Sequence, residues 1–107
     1  MAYDLKLEAR VDELLKKKRG VVKKRMFGGL AYMLKGKMFC GVLKDQLVLR
    51  VSKEESVTLL KVKNVKPMNF TGRVIRGFLF IQSPALRTKK SLQSWLDRGI
   101  DFVTSIK

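Results

Sequence analysis

The chain has 107 residues, of which 46% are hydrophobic, so it can bury the core of one domain and is not a disordered basic tail. It carries 24 Lys or Arg residues, nine Asp or Glu residues and no His, which gives a formal net charge of +15. An excess of this size points to an anionic partner, to colloidal solubility, or to a salty or nucleic-acid-rich cell interior. No apolar run approaches the roughly 20 residues of a membrane span, and the early acids Asp4 and Glu8 do not fit a signal peptide. We therefore expect a cytoplasmic protein without membrane contact.

The first predicted element is a helix from Asp4 to Arg19. Asp4 is a suitable N-cap, and Gly20 is a suitable residue just beyond the end of the helix. The early acids and the basic run that closes the segment match the helix dipole. The apolar residues that recur at helical spacing are Leu7, Val11, Leu14 and Leu15.

Three or four strands are predicted next, joined by tight turns. The pair Gly28-Gly29 indicates a bulge or a tight corner, and Lys35-Gly36-Lys37 indicates a hairpin between two apolar runs. A short turn at Lys44-Asp45 leads into the last strand of the group. The predicted strands are Val21 to Phe27, Leu30 to Leu34, Met38 to Leu43 and Gln46 to Val51. Strands that follow one another so closely form an antiparallel meander.

A capping box at Ser52 predicts a short second helix, in which the Ser hydroxyl accepts from the amide of Glu55. This helix is expected to end at about Lys61. A basic loop, Lys61 to Lys66, follows and is closed by Pro67. The segment Met68 to Arg73 is either irregular or a short strand with a turn at Thr71-Gly72.

The segment Val74 to Gln82 is the clearest strand, and Ser83-Pro84 ends it. Thr88 or Ser91 then caps a final helix that runs to about Ser105. Its apolar stripe consists of Leu92, Trp95, Leu96, Gly99, Phe102, Val103 and Ile106. The order of elements predicts one α+β domain over residues 1–107, a two-layer sandwich with helices on one face of an antiparallel sheet.

Two motifs resemble a known family. The segment Met26 to Met33, continued by Gly36, Met38 and Cys40-Gly41-Val42, resembles the N-terminal domain of the TfoX/Sxy competence regulators. The match resumes in a second motif, Lys66 to Arg73, and at Gly77-Phe78. The last helix, with Trp95 and Gly99, also resembles the final helix of the family. The resemblance spans nearly the whole chain.

The resemblance implies a secretion-chaperone-like topology, α-β(3)-α-β(2)-α. It also implies a regulatory role, because the best-known members have two domains and help to activate DNA-uptake genes. We expect a single domain over residues 1–107, without the second, small helical domain of those regulators. We accordingly expect a stand-alone member of the family that has no cofactor.

Both motifs have a structural interpretation and a functional one. A phosphate-binding loop needs its glycines before a helix, and here a strand follows Gly29, so we expect the glycines to serve packing or positive φ angles. In the second motif we expect Phe70 to point inward and Arg73 outward. The residues assigned a structural role are Met26, Phe27, Gly28, Gly29, Gly36, Gly41, Phe70, Gly72 and Gly77. The alternative is a loop that docks a partner through Pro67, Asn69, Thr71 and Arg73.

Catalytic chemistry has little support in the sequence. Cys40 is the only cysteine, and without a His there is no ordinary base to activate it, so we expect it to pack in the core. A zinc site would need carboxylates alone. The acidic pairs Asp12-Glu13, Glu54-Glu55 and Asp97/Asp101 are explained by capping and ion pairing. We therefore expect a protein that is not an enzyme; a deep pocket with convergent polar groups would reopen that alternative.

Two functional hypotheses remain. The first is a regulatory or adaptor domain that acts through protein contacts in transcription, as a monomer or as a weak homodimer paired through a strand edge. The second is nucleic-acid binding without sequence preference, through phosphate contacts. Exposed aromatic side chains do not support base stacking, because Phe27, Phe39, Phe70, Phe78, Phe80 and Trp95 all occupy predicted core positions. The candidate anion-contact residues are Lys16, Lys17, Lys18, Arg19, Lys23, Lys24 and Arg25.

Overall fold

The computed structural model describes residues 3–26, 28–70 and 73–105. Within these residues lie three α-helices, one 3-10 helix and six β-strands. In chain order they are α1 (Leu5–Leu15), β1 (Val21–Met26), β2 (Gly29–Leu34), β3 (Lys37–Leu43), β4 (Gln46–Arg50), α2 (Lys53–Leu59), β5 (Val65–Phe70), β6 (Arg73–Ile81), the 3-10 helix η1 (Ser83–Leu86) and α3 (Lys89–Ser105).

All six strands form one antiparallel sheet in the order β1-β2-β3-β4-β6-β5. The predicted meander is therefore confirmed with four strands, and β1 pairs with β2 over its whole length, from Val21 opposite Leu34 to Met26 opposite Gly29. The resemblance implies three strands before the second helix, and this chain has one more. Strands β1 and β5 are the two edges of the sheet. Both edges carry lysine and β5 contains Pro67, two features that discourage pairing with another chain.

The three helices pack on one face of the sheet, as predicted. Residues of α1, α2 and α3 share a single hydrophobic core with residues of β2, β3, β4 and β6, which alternate along each strand except at Phe39-Cys40 of β3, beside a register shift. Alternation follows from the period of two along a strand, which sends successive side chains to opposite faces. The helical contribution comprises Leu7, Val11, Leu15, Leu59, Leu92, Trp95, Leu96 and Val103, and the sheet contribution includes Leu30, Tyr32, Cys40, Val42, Leu47, Leu49, Leu79 and Ile81.

Helix α1 is shorter than predicted. Asp4 is its N-cap, as expected, and its carboxylate accepts from the amides of Lys6 at 2.8 Å and Leu7 at 3.3 Å. The helix ends at Leu15 instead of Arg19, so Gly20 does not follow its last residue but supplies a positive φ of 87° at the entry to β1. The apolar stripe stops at Leu15. A further helical turn would bury nothing and would align like charges along one face.

The predicted turns between β1, β2, β3 and β4 are confirmed. Lys35 and Gly36 both have positive φ, 53° and 78°, and Leu34 pairs with Lys37, which defines a two-residue type I′ turn. Gly28 also has a positive φ, 78°, at the corner where Met26 pairs with Gly29. Phe27, which was expected to end the first strand, lies outside the described residues.

The prediction for the segment around Pro67 was wrong. The basic loop does not reach Lys66, because β5 begins at Val65, opposite Ile81 of β6. Pro67 lies inside this strand, opposite Leu79, and the register shifts between Pro67 and Asn69. A proline is tolerated here because β5 is an edge strand, where one side of the backbone needs no partner. The strand also takes up Met68 to Phe70, half of the segment that the sequence left open.

The caps of the later helices are resolved by the structure. Ser52 Oγ accepts from the amide of Glu55 at 3.1 Å, although α2 ends at Leu59, two residues before the predicted limit. Of the two candidates for α3, Thr88 is the cap, since its Oγ1 accepts from the amide of Ser91 at 3.0 Å. Strand β6 begins and ends one residue earlier than predicted. Ile106, expected in the stripe of α3, lies outside the described residues.

Candidate functional site

The seven candidate anion-contact residues lie at one edge of the sheet. Lys16, Lys17, Lys18 and Arg19 occupy the turn after α1, while Lys23, Lys24 and Arg25 belong to the edge strand β1. All seven are exposed. The structure therefore brings the two runs together, as their closeness in sequence suggested, but it does not give every member the same surroundings.

Lys23 is engaged by two carboxylates of α1. Its Nζ lies 2.7 Å from Glu8 Oε2 and 2.9 Å from Asp12 Oδ2. The hydrogen bond to Glu8 is the main reason that the pKa of Lys23 is raised, with a further contribution from Asp12. The hydroxyl of Tyr32 donates to the other oxygen of Asp12 at 2.8 Å. Lys23 thus helps to join β1 and β2 to α1, and its charge is compensated locally.

Lys16 has a weaker partner. Its Nζ lies 2.7 Å from Glu13 Oε1, one helical turn away, and both side chains are more than half exposed. The hydrogen bond from Lys16 lowers the pKa of Glu13. Surface pairs of this kind contribute little to stability because water and salt compete with them. Lys16 can therefore exchange Glu13 for another anion at low cost.

The other five residues have no ion pair within the described part of the chain: Lys17, Lys18, Arg19, Lys24 and Arg25. Alternation along β1 places Lys24 on the face opposite to Lys23 and Arg25. The five cations therefore surround the β1 edge of the sheet. Three of the five are lysines, whose compact ammonium group suits contact with phosphate groups better than reading of bases.

Acidic and basic residues are distributed unequally between the two layers. The six strands contain no Asp or Glu, and their basic residues are Lys23, Lys24, Arg25, Lys37, Arg50, Lys66, Arg73 and Arg76. Seven carboxylates lie on the helices, Asp4 caps α1, and Asp45 lies in the turn between β3 and β4. The positive excess thus belongs to the sheet and to the connecting loops and turns. The net charge of the whole chain does not reveal this division between the helices and the sheet.

The candidate partner loop connects β5 to β6. Phe70 pairs with Arg73, so these residues close a β-hairpin. Pro67 is half-buried and lies in β5. Thr71 and Gly72 lie outside the described residues, and so do the side chains of Asn69, Phe70 and Arg73. The expectation that Phe70 points inward and Arg73 outward concerns side chains that are not described.

The glycine motif serves close packing of strands. A Cβ on Gly29 would lie 2.4 Å from the backbone oxygen of Val42, and one on Gly41 would lie 2.3 Å from that of Leu30. Such distances are not tolerated, so both positions require glycine. Because Gly29 opens a strand and no helix begins there, the motif does not have the form of a phosphate-binding loop. The side chain of Met26 and the whole of Phe27 lie outside the described part.

Gly77 has a comparable role in β6. Its φ is 90°, its carbonyl accepts from the amide of Val51 at 2.8 Å, and its amide donates to Ser56 Oγ at 3.3 Å. These contacts join β6 to the end of β4 and to α2. The structural assignment of this glycine is consistent with its surroundings.

Cys40 is fully buried in the core. Burial raises the pKa of its thiol, so it stays protonated and unreactive. Among the described residues, no group of three or more His, Cys, Asp or Glu side chains could hold a metal ion. In the same part of the chain, none of the helices has both the length and the apolar character needed to cross a membrane.

Two aromatic side chains were wrongly placed in the core by the sequence. Phe39 and Trp95 are buried there as expected, but Phe78 and Phe80 alternate with the core residues Leu79 and Ile81. They are half-buried and lie on the face of the sheet opposite to the helices. Their strand is apolar on both faces, so its pattern could not tell which alternate set meets the helices.

A second surface without a sequence signal lies between α2 and α3. Three large apolar side chains are exposed in one short segment: Val57 at 55%, Leu60 at 38% and Val62 at 42%. Val62 also lines an open cleft of about 430 Å³. Its walls consist of Leu59, Val62, Thr88, Lys90, Ser91, Ser94, Trp95 and Arg98. We call this surface the α2–α3 cleft.

Comparison with known proteins places the chain in a family. A family model described as the TfoX N-terminal domain matches residues 13–103, which include both motifs, all six strands and most of α3. A search of curated proteins found no match. The match extends over far more than half of the 107 residues. On this evidence, the chain belongs to the TfoX N-terminal domain family.

Proposed function

We propose that this domain is a non-enzymatic regulatory adaptor that acts in transcription through protein contacts. The observation that carries the proposal is the α2–α3 cleft, an open groove whose wall includes the exposed apolar side chain of Val62. A group of apolar side chains on the surface of a small protein is often an interaction site. Family membership supports a regulatory role because the best-known relatives are regulators.

The chemistry around the cleft favours an acidic, amphipathic helix of a partner protein as its occupant. Val62 lies between Lys61 and Lys63 in sequence, and Lys90 lines the opposite wall. All three lysines are exposed and have no ion pair within the described residues. A helix with aliphatic residues on one face can fill such a groove, and acidic residues along its flanks can meet the lysines.

The absence of an enzymatic role is part of the proposal, and the contacts of the ionisable groups support it. Asp12 is held by Lys23 and Tyr32, Glu55 Oε2 lies 2.9 Å from Arg98 Nη1, and Asp97 accepts from Gln93. These carboxylates thus have structural partners. With Cys40 buried, the described residues offer no activated nucleophile beside a base.

A titration with a synthetic peptide tests the cleft. The probe is a short helical peptide with Leu on one face and Glu on the other, added to isotope-labelled protein and followed by NMR. We expect shifts at Leu59, Val62 and Trp95. The variant Val62→Ser should weaken binding about tenfold, since an apolar contact in the wall of the cleft is lost.

The matched control is Leu5→Ser, because Leu5 is 51% exposed and lies on α1, outside the cleft. This variant should bind the peptide like the wild type. Equal weakening by both changes, or shifts spread over all basic surfaces, would show that the peptide responds to net charge alone and would contradict the proposal.

Sequence-independent nucleic-acid binding is the second candidate function, and the unequal division of charge favours it. Lys17, Lys18, Arg19, Lys24 and Arg25 project from the β1 edge without compensating carboxylates in the described part of the chain. Binding to duplex DNA should then weaken with salt, with the logarithm of affinity falling by about 0.9 per phosphate contact. The variant Lys17→Gln/Lys18→Gln should make this slope shallower by up to about 1.8. A wild-type affinity that does not depend on salt would exclude this function.

A further inference from the structure

One row of side chains crosses the whole sheet on the face turned away from the helices, which we call the open sheet face. Adjacent members of the row are paired directly in the register of neighbouring strands. In spatial order the row is Lys24, Ala31, Gly41, Val48, Phe80 and Lys66. Six strands at a spacing of about 4.8 Å make it about 24 Å long.

The open sheet face has cations at its two ends and an aromatic ring beside one of them. Ala31, Gly41 and Val48, in the middle of the row, are buried, so a ligand can reach the half-buried ring of Phe80 and the two end residues but not the middle of the row. Lys24 and Lys66, at the two ends, are exposed and without an ion pair among the described residues. Such a row provides a ring for stacking between two cations.

The second aromatic ring of this face already has a cation partner. Arg50, the last residue of β4, places its guanidinium carbon 5.7 Å from the centre of the Phe78 ring and 5.3 Å from that of Phe102. No such cation contact is found for Phe80 within the described residues. Phe80 is therefore the ring on this face that a ligand can use for stacking.

The charge of the face limits what can cover it. The strands contain no carboxylate, so a second copy would bring positive charge against positive charge with nothing to pair it. A polyanion is favoured instead. Duplex DNA does not fit a flat ring, because its bases are stacked on one another, whereas an unpaired base can lie on an aromatic side chain.

We infer that the open sheet face binds single-stranded nucleic acid, with a base stacked on Phe80 and phosphates contacting Lys24 and Lys66. This goes beyond the proposed function, because neither the α2–α3 cleft nor duplex contact at Lys17 and Lys18 requires it. Stacking accepts any base, so the binding is expected to be tolerant of sequence.

The test is fluorescence anisotropy with a labelled oligothymidylate of about 12 nucleotides, a length within the range of known single-strand sites. We expect salt-dependent binding by the wild type. Phe80→Leu keeps the apolar volume but removes the ring, and it should weaken binding at least about fivefold. Phe80→Tyr keeps a ring and should bind like the wild type. Lys24→Gln/Lys66→Gln should reduce the salt slope by about 1.4, that is, about 0.7 per phosphate on a single strand.

Two further measurements keep the outcomes separate. Duplex DNA binding should be unchanged in Phe80→Leu, whereas Lys17→Gln/Lys18→Gln should weaken it. Loss of single-strand binding at the open sheet face can therefore be distinguished from loss of duplex contact at Lys17 and Lys18. Met33 and Leu43 lie on the open sheet face, two residues after Ala31 and Gly41. NMR of the wild type with the oligonucleotide should shift Met33, Leu43 and Phe80, a result that does not depend on whether a variant folds. Absence of those shifts, or equal oligonucleotide affinity of Phe80→Leu and the wild type, overturns the inference. A preference for poly-glutamate over the oligonucleotide at the same face would also overturn it and would assign the face to an acidic protein.

Discussion

The hydroxyl of Tyr32 donates a hydrogen bond of 2.8 Å to Asp12 Oδ1, and it does so at the junction of the two layers. Tyr32 is only 2% exposed and belongs to β2, whereas Asp12 belongs to α1. The other oxygen of Asp12 accepts from Lys23 of β1 at 2.9 Å. One carboxylate therefore joins a helix to two strands, in the region where the basic surface begins.

Replacing Tyr32 by Phe should destabilise the domain. The change removes a hydrogen bond to a charged acceptor but retains the ring, so we expect a loss of about 1.5–3 kcal/mol in the free energy of unfolding. Urea denaturation measures it. The matched control is Tyr3→Phe, because the Tyr3 hydroxyl has no hydrogen bond to a described residue. An equal effect of the two changes would mean that the Tyr32–Asp12 bond adds nothing.

Alkaline pH should lower the stability of the domain. Burial and the nearby Asp12 raise the pKa of Tyr32, and Glu8 and Asp12 raise the pKa of Lys23. A raised pKa means that the folded state holds its proton when the unfolded state has lost it. The stabilisation is therefore complete below the ordinary values of 10.0 and 10.5 and is lost as the pH rises above them.

This pH dependence can be checked by urea denaturation at a series of pH values from neutral to above those ordinary values. The free energy of unfolding should fall at the alkaline end, and it should fall less steeply in Tyr32→Phe because one of the two groups is gone. An identical slope in the variant would show that Tyr32 does not contribute.

Gly99→Ala should destabilise α3 although alanine is the better helix former. A Cβ at this position would lie 2.4 Å from the backbone oxygen of Phe39 and 3.1 Å from Leu49 Cδ1. Propensity favours the change by about 1 kcal/mol, but moving a helix away from a sheet costs about 1–3 kcal/mol or more. We expect a net loss in thermal denaturation. Ser94→Ala, at an exposed position of the same helix, should be neutral or slightly stabilising.

Lys23 and Lys24 should behave in opposite ways although they are neighbours. Lys23→Gln removes two contacts with α1 and should lower stability, with little effect on DNA affinity, because that charge is already compensated. Lys24→Gln should leave stability unchanged and weaken DNA binding. Parallel measurements of unfolding and of salt-dependent affinity separate the two effects. Equal losses of affinity would show that Lys23 exchanges its carboxylates for phosphate.

The thiol of Cys40 should be protected by the fold. It is fully buried, and burial raises its pKa, so a thiol reagent at neutral pH should react slowly with the native protein and rapidly in urea. The reaction rate should follow the unfolding equilibrium. Rapid reaction of the folded protein would place Cys40 at the surface.

Local structure was predictable wherever neighbouring residues decide it. The hairpin at Lys35-Gly36 was predictable because a two-residue type I′ turn prefers glycine. Both central residues of such a turn have positive φ, as Lys35 and Gly36 do. The caps at Asp4 and Ser52 follow from short polar side chains that can reach the first free amides of a helix. The antiparallel meander could be predicted because its apolar runs are separated by short turn sequences.

Predictions were wrong where pairing and packing in the folded structure decide the outcome. Pro67 was expected to close a loop, but β6 was available as a partner and the edge position tolerated the proline. The end of α1 was placed too late because the lysines favour a helix by propensity, while its actual end coincides with the last residue that reaches the core.

The sequence by itself determined the turns, the caps, the buried stripe of α3 and the two motifs that place the chain in its family. Only the tertiary structure decided which face of β6 meets the helices, because Phe78, Leu79, Phe80 and Ile81 are apolar on both faces. Only the tertiary structure showed that most carboxylates lie in the helical layer and that the sheet layer carries basic residues alone. The reason is that packing brings strands from distant parts of the chain into one layer. The net charge of +15 is therefore a property of the sheet and its connecting loops and turns, while the carboxylates lie almost entirely with the helices.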